Sequence, residues 1–324
     1  MDYILLLIGL FLLLCGANYL VDASVAIAQR AKVSNFIIGL TIVGMGTSAP
    51  ELFVSVSSAL TGHGDVAMGN VIGSNISNIL LILGVTALIL PFSIEKEQQR
   101  RDLPVCIGAM ILLTLLANDA VMPGITVNEV SRLDGVMLLL AFLIYMCYVI
   151  VQKAKHPEAS LAEANESTTT TLGGKQPWLL WTITVVSLTA LIGGGQLFLN
   201  SAQNLAEAWG ISQAVISITV VAIGTSLPEL ITSVVAACKK NPQLALGNVI
   251  GSNVFNALFI TGTASVIKPF TIHTVQLSDY VMAIAASVMC YLVAYTFKKK
   301  TLDRAEGAIF LLVYIAYTAF LLLR

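Results

Sequence analysis

Two short segments concentrate the oxygen chemistry of this chain. "GTSAPE", residues 46–51, and "GTSLPE", residues 224–229, each bring two hydroxyls, a proline and a glutamate together: Thr47, Ser48 and Glu51 in the first, Thr225, Ser226 and Glu229 in the second. Each is followed by "GNVIGSN", at 69–75 and 247–253. Ser74 and Asn78, and likewise Ser252 and Asn256, then stand four residues apart, the spacing that places two side chains on one helix face. Pro50 has no N–H and its ring displaces the carbonyl four residues back, so it frees the backbone oxygen of Gly46, and Pro228 does the same to Gly224. Carboxylate, carbonyl, hydroxyl and amide oxygens suit Ca2+ or Na+, whereas Mg2+ demands a stricter octahedron. With no thiolate or imidazole in the cluster, zinc and copper fit poorly. Two glutamates carry a charge of −2, which one Ca2+ cancels and which two or three Na+ cancel or slightly exceed.

The surroundings of these oxygens are apolar. The 324-residue chain is 57% hydrophobic and 11% charged, with mean hydropathy +0.87, whereas soluble domains carry about a quarter charged residues. A helix needs roughly 20 apolar residues to cross the hydrocarbon layer. Ten such windows fall near residues 3–27, 36–60, 67–90, 103–118, 133–151, 178–200, 211–237, 244–267, 279–297 and 306–323. The opening "MDYILLLIGLFLLLCGA" has an acidic Asp2, no basic leader and Leu14 before Cys15, so it reads as the first span rather than a signal peptide or lipoprotein leader. The polar, low-complexity stretch 153–177 reads as a linker between a first half, 1–152, and a second, 178–324.

Positive charge orients the chain. With the N-terminus outside, the inner connections hold Arg30, Lys32, Lys96, Arg100, Arg101, Lys153, Lys155, Lys175, Lys239, Lys240, Lys298, Lys299, Lys300 and Arg304, leaving Arg132, Lys268 and Arg324 outside. This asymmetry predicts a multi-pass protein of the cell (inner) membrane with both termini outside and the linker cytoplasmic. A net charge of −1 gives no field for nucleic acid. The cysteines (Cys15, Cys106, Cys147, Cys238, Cys290) share no C-x-x-C spacing and read as small buried hydrophobes, and His63, His156 and His273 as solvated loop residues.

The chain repeats itself at a shift of 178. "GMGTSAPELFVSV" (44–56) lies on "AIGTSLPELITSV" (222–234), "AMGNVIGSNISNILLILG" (67–84) on "ALGNVIGSNVFNALFITG" (245–262), and "PFSI" (91–94) on "PFTI" (269–272), without a gap. Five spans per copy is an odd number, so the second copy inserts upside down. The expected fold is an all-α membrane protein of ten transmembrane helices, two inverted five-helix repeats with broken helices 2 and 7 around a midplane site. Gly69 and Gly73, and Gly247 and Gly251, form G-x-x-x-G patches for close helix packing.

These paired segments resemble the alpha-repeats of the cation/Ca2+ antiporter superfamily, in its prokaryotic Na+/Ca2+ exchanger branch, and the ten-span layout carries the resemblance along nearly the whole chain. The resemblance implies an antiporter of Ca2+ and Na+ with no cofactor. It makes Glu51 and Glu229 the central Ca2+ ligands, aided by Thr47 and Thr225. Ser48, Ser74, Ser226 and Ser252 would line flanking sodium positions, and Asn78 and Asn256 would complete the middle of the cage. Amides stand where some relatives carry acids, which implies a K+-independent cage. The linker is too short for the regulatory domains of animal exchangers.

The same residues admit other readings. Asn70, Asn75, Asn248 and Asn253 are either ligands or interhelical hydrogen-bond partners. Ser55, Ser57, Ser58 and Ser233 are expected to bond back to their own helix, and Asp22 to act at the interface. A channel would use the same oxygens, but inverted repeats around two embedded glutamates fit alternating access better. An intramembrane serine enzyme lacks both the second glycine of G-x-S-x-G and a membrane histidine. Ca2+/H+ exchange, with the glutamates carrying protons, is the alternative within the transporter class. The topology is testable by labelling: a membrane-impermeant thiol reagent added to intact cells should reach a cysteine introduced near Gly62 or Gln276 and miss one near Thr169, and the opposite pattern would reverse the orientation.

Overall fold

The computed structural model describes residues 2–119, 127–155, 172–209, 224–293, 295 and 300–324. The helices, in order, are α1 (Asp2–Ala31), α2 (Asn35–Thr47), α3 (Ala49–Thr61), α4 (Gly64–Ile89), α5 (Leu103–Leu116), α6 (Arg132–Lys155), α7 (Pro177–Ala208), α8 (Leu227–Cys238), α9 (Pro242–Ile267), α10 (Leu277–Val293) and α11 (Arg304–Leu323). Among the described residues six helices, α1, α4, α6, α7, α9 and α11, are long and apolar enough to cross a membrane, and the pair α2 and α3 makes a seventh if counted as one bent span. The expected window at 103–118 falls on a helix that continues from a π-helical turn at Gln98–Asp102 to Leu116, and the windows at 211–237 and 279–297 fall on helices of 12 and 17 described residues, with 294 and 296–299 outside the described residues. Residues 210–223, the first part of the window at 211–237, lie outside the described residues, as do linker residues 156–171 with His156.

The chain is not purely helical. Strand β1 (Phe92–Ser93) pairs antiparallel with β4 (Thr301–Leu302), and β2 (Asn128–Val130) with β3 (Phe270–Ile272). Pro91 and Pro269 follow the ends of α4 and α9, where proline pushes the preceding residue out of the helical region, and the next residues run extended. The matched segments "PFSI" and "PFTI" thus build matched strands, each paired with a connection from the other half of the chain. Asp65, at the start of α4, fixes the loop beyond β3: its Oδ1 accepts the backbone N–H groups of His273 at 2.8 Å and Thr274 at 2.7 Å.

Burial separates centre from rim. The apolar window of α9 is 94% buried and that of α4 72%, against 17% for α11. Leu, Ile and Val side chains that a soluble protein would hide therefore face outward on α11, α6 and α1, as a hydrocarbon surround permits. Two charged clusters tie the rim helices. Buried Asp102, just before α5, accepts two bonds from Arg101 and one from Tyr145 of α6, and Asp279 of α10 accepts the same from Arg324 and from Tyr317 of α11.

The helices nearest the centre meet backbone to backbone. A Cβ on Gly247 would strike the carbonyl oxygen of Phe36 and come 2.9 Å from the nitrogen of Leu40, and one on Gly251 would strike the Leu40 carbonyl. The G-x-x-x-G patch of α9 thus seats α2 directly on α9. The residues that the 178 shift matches to Phe36 and Leu40 lie outside the described set, so the patch at Gly69 and Gly73 has no described counterpart contact. A similar crossing joins α1 to α7, where a Cβ on Gly9 or Gly194 would fall 2.9 Å from the other's carbonyl oxygen.

Gly247→Ala should therefore force α2 from α9 and cost about 1–3 kcal/mol. Gly108→Ala, at an exposed position of α5 with no atom within 4 Å of the new carbon, should be neutral or gain up to about 1 kcal/mol of helix propensity. Thermal unfolding of the two variants in the same detergent distinguishes them, and equal melting temperatures would contradict the contact.

Candidate functional site

The site begins at a break. Helix α2 stops at Thr47, Ser48 sits at φ −82° and ψ 11°, and α3 leaves at 45° to the first direction. Pro50 lies in the first turn of α3, where its missing N–H has no helical acceptor to serve. The second copy repeats the device: Thr225 and Ser226 form a turn, and α8 starts at Leu227 with Pro228 in its first turn. Glu51 and Glu229 each stand in the first turn of the new helix, close to free N–H groups and the positive end of its dipole.

Both glutamates are 1% exposed. A bond between the halves reaches one of them: Ser48 Oγ donates to Glu229 Oε1 at 2.9 Å. Thr225 and Ser226 flank Glu51 in the matching position. Even so, neither oxygen of Glu51, nor Oε2 of Glu229, has a hydrogen-bond partner among the described residues. The amide oxygens Oδ1 of Asn78 and Asn256 are likewise buried and unpartnered. Orphaned acceptors of this kind are rare in folded proteins, and each costs free energy unless a donor or cation meets it.

Helices α4 and α9 bring the remaining groups. Both contain a π-helical turn, Asn78–Leu83 in α4 and Phe255–Ile260 in α9, opening at or one residue before the cage asparagine. Such turns widen a helix locally and recur at functional sites. Ser74 accepts from Ser226 at 3.4 Å, Ser77 donates to Ser226 at the same distance, and Ser252 donates to the Gly44 carbonyl at 3.1 Å. Thr47 donates to Asn248 Oδ1 at 3.1 Å. Thr225 is half-buried and, with Pro50, Phe53, Gly195, Leu199 and Pro228, lines a cavity of about 230 Å³ beside the break.

Of the residues singled out for the cage, Ser48 is bonded to Glu229 and Ser226 to Ser74, Thr225 and Ser226 flank Glu51, and the buried Asn78 and Asn256 bond Asn253 and Asn75. The four further asparagines make interhelical hydrogen bonds. Asn70 donates to the Glu51 carbonyl and to Ser55, Asn248 donates to the Glu229 carbonyl and to Ser233, and Asn75 and Asn253 bond each other across the halves. Two expectations change. Ser55 donates to Ala67 of α4, and both Ser55 and Ser233 accept from the neighbouring helix instead of bonding only within their own, because the helices approach closely enough to offer better partners. Cys147 and Cys238 are exposed rather than buried. Asp22 pairs with Lys239 at 2.7 Å, and Ser57 does bond back to Val54.

The chain is similar to known proteins along nearly its whole length. The family model described as sodium/calcium exchanger protein matches residues 1–151 and 179–323. The chain is 35% identical over 97% of its length to a putative antiporter CaxA of Alkalimonas amylolytica, covering 96% of that protein. It is 29% identical over 98% of its length to the sodium/calcium exchanger MaX1 of Methanosarcina acetivorans, covering 97% of it. Among solved structures, the sodium-calcium exchanger NCX_Mj soaked with zero Na+ and Ca2+ superimposes with TM-score 0.81 at 31% identity, over 98% of both chains.

The orphaned oxygens generate a test that needs no transport. Ca2+ added to the detergent-purified protein should raise its melting temperature, since a ligand at 100 times its Kd adds about 2.7 kcal/mol. Glu51→Gln and Glu229→Gln should each abolish that rise without lowering the Ca2+-free melting temperature, because an amide is easier to bury than a carboxylate. A Ca2+ response that survives either change would place the cation elsewhere.

Proposed function

Because the chain belongs to the sodium/calcium exchanger family, in the prokaryotic branch of the cation/Ca2+ antiporter superfamily, we propose that it exchanges Ca2+ for Na+ by alternating access at a site built on Glu51 and Glu229. The observation that carries this reading is the pair of buried carboxylates with three of their four oxygens unpartnered, joined by the unpartnered amide oxygens of Asn78 and Asn256. A transporter, unlike an enzyme, needs only such a cage and two routes to it. Thr47, Thr225, Ser48, Ser226, Ser74 and Ser252 supply the hydroxyls that flank the carboxylates. Ca2+ and Na+ are the transported substrates.

The finer architecture belongs to the same proposal. Ten spans form two inverted repeats, 1–152 and 178–324, joined by a cytoplasmic linker at 153–177, with both termini outside. The exchange of hydrogen bonds between matched asparagines, and of strand pairs between matched connections, supports a two-fold relation of the halves. In that orientation the cavity between Phe53, Leu199 and Gly224 lies on the outer side of the break, where it would admit ions from outside.

Charge decides how the cycle responds to voltage. The cage holds −2 because positions 78 and 256 are amides. A Ca2+-loaded carrier is then close to neutral, and a carrier loaded with three Na+ bears about one positive charge. Moving one charge through the field is worth about 2.3 kcal/mol per 100 mV.

In sealed proteoliposomes, 45Ca2+ uptake should follow an imposed Na+ gradient and not an imposed pH gradient. It should run without K+ and quicken when the potential drives positive charge along with the sodium. Uptake driven by pH alone would instead assign the counter-ion to protons on the same glutamates, and flux indifferent to a clamped potential would rule out the net charge.

A further inference from the structure

The amide oxygens of Asn78 and Asn256 can serve a cation only if each side chain turns oxygen, not NH2, toward the cage. An amide is nearly symmetric in shape, so packing alone does not choose between the two. The choice is made by hydrogen bonding one layer further out. The argument rests on the cage proposed above.

Asn75 Nδ2 lies 3.2 Å from the backbone carbonyl of Asn253 and 2.9 Å from the thioether of Met110. Both neighbours are acceptors only, so this end of Asn75 must be NH2. Its Oδ1 then faces Asn256, and Asn256 Nδ2 donates to it at 3.1 Å. The second copy answers in kind: Asn253 Nδ2 donates to the Asn75 carbonyl at 3.1 Å, and Asn78 Nδ2 donates to Asn253 Oδ1 at 2.9 Å. The consequence is the same on both sides. Each cage amide spends NH2 on its outer partner and leaves Oδ1 buried and unpartnered.

We infer that Asn75 and Asn253 are positioning residues that fix the amide orientation of Asn256 and Asn78, so that two backbone carbonyls determine, through two amides, that the cage presents oxygen to the cation. The four side chains are 1% exposed or less, so water cannot compete for these bonds. Each half sets the ligand of the other: Asn75 lies in the first copy and orients Asn256 in the second. Without Asn75, Asn256 is free to flip and point a donor at the ion, which would repel Ca2+ and Na+ alike.

The test is a double-mutant cycle in Na+-loaded proteoliposomes, reading the apparent KM for 45Ca2+ uptake and the maximal rate separately. Asn75→Leu should raise KM about tenfold, the effect of losing one oriented ligand. Asn256→Leu should raise it by at least as much, and Asn75→Leu with Asn256→Leu should be no worse than Asn256→Leu alone, because a ligand that is gone cannot be misoriented. A purely structural Asn75 predicts instead that the two effects multiply, and that result would overturn the inference. Asn75→Asp gives a second readout: buried, it is expected to be protonated, donating its O–H to the Asn253 carbonyl and still accepting from Asn256, so KM should stay near the wild-type value. A raised KM there would also overturn the assignment, including where Asn75→Leu does not fold. Glu229→Gln, run alongside, separates the two levels. If it transports with near-normal KM, the cage reading falls and this inference with it; if it is inactive while the cycle is multiplicative, only the positioning role falls.

Discussion

Everything near the centre of this molecule follows from one constraint: two carboxylates are held where neither water nor lipid headgroups reach them. An ionised carboxylate in an apolar medium is tolerable only with a counter-charge or strong donors. The fold offers Glu229 one side-chain donor, Ser48, and sets both glutamates in first helical turns. It stops there. A site that satisfied every carboxylate oxygen with protein donors would be more stable and would have no use for an ion.

Keeping those oxygens open while packing the rest tightly requires backbone contact rather than side-chain bulk. The bare glycines of α9 let α2 lie on its surface, and the same approach puts Ser252 within reach of the Gly44 carbonyl. The π-helical turns at Asn78 and Phe255 have a related effect, widening α4 and α9 where a regular helix would be narrower. Neither helix could be widened on the rim without exposing polar backbone to hydrocarbon. Both turns lie in the most buried helices, where neighbouring groups can meet the displaced carbonyls.

Much of this was legible in the sequence, and the reasons for success and failure are physical. Glu51 and Glu229 are conspicuous because a charge inside an apolar window is costly, and the repeat makes chance implausible. The helix break at Ser48 follows from Pro50 alone. The π-helical turns were not legible, since the widening depends on tertiary contacts and not on any residue type. For Ser55 and Ser233 the sequence could name the hydroxyl but not its partner, because own-helix and cross-helix acceptors look alike until the helices are placed. The ribbons β1–β4 and β2–β3 pair residues far apart in sequence, beyond the reach of a local pattern.

The contacts around the break share a direction that bears on how such a site could move. Ser48 of the first copy bonds Glu229 of the second, Thr47 bonds Asn248, Ser226 bonds Ser74, and the amides of Asn75 and Asn256 and of Asn78 and Asn253 all cross between copies. Bonds that hold a glutamate to its own half, such as Asn70 to the Glu51 carbonyl, instead secure backbone. The ligands of the proposed cage are therefore set only where the halves meet. Because α2 is seated on α9 and α1 on α7 across the same boundary, a movement that alters which oxygens converge must also shift some of these backbone contacts. Occupancy and conformation are then coupled through differential affinity, since a cation that draws on oxygens of both halves stabilises the arrangement in which they converge.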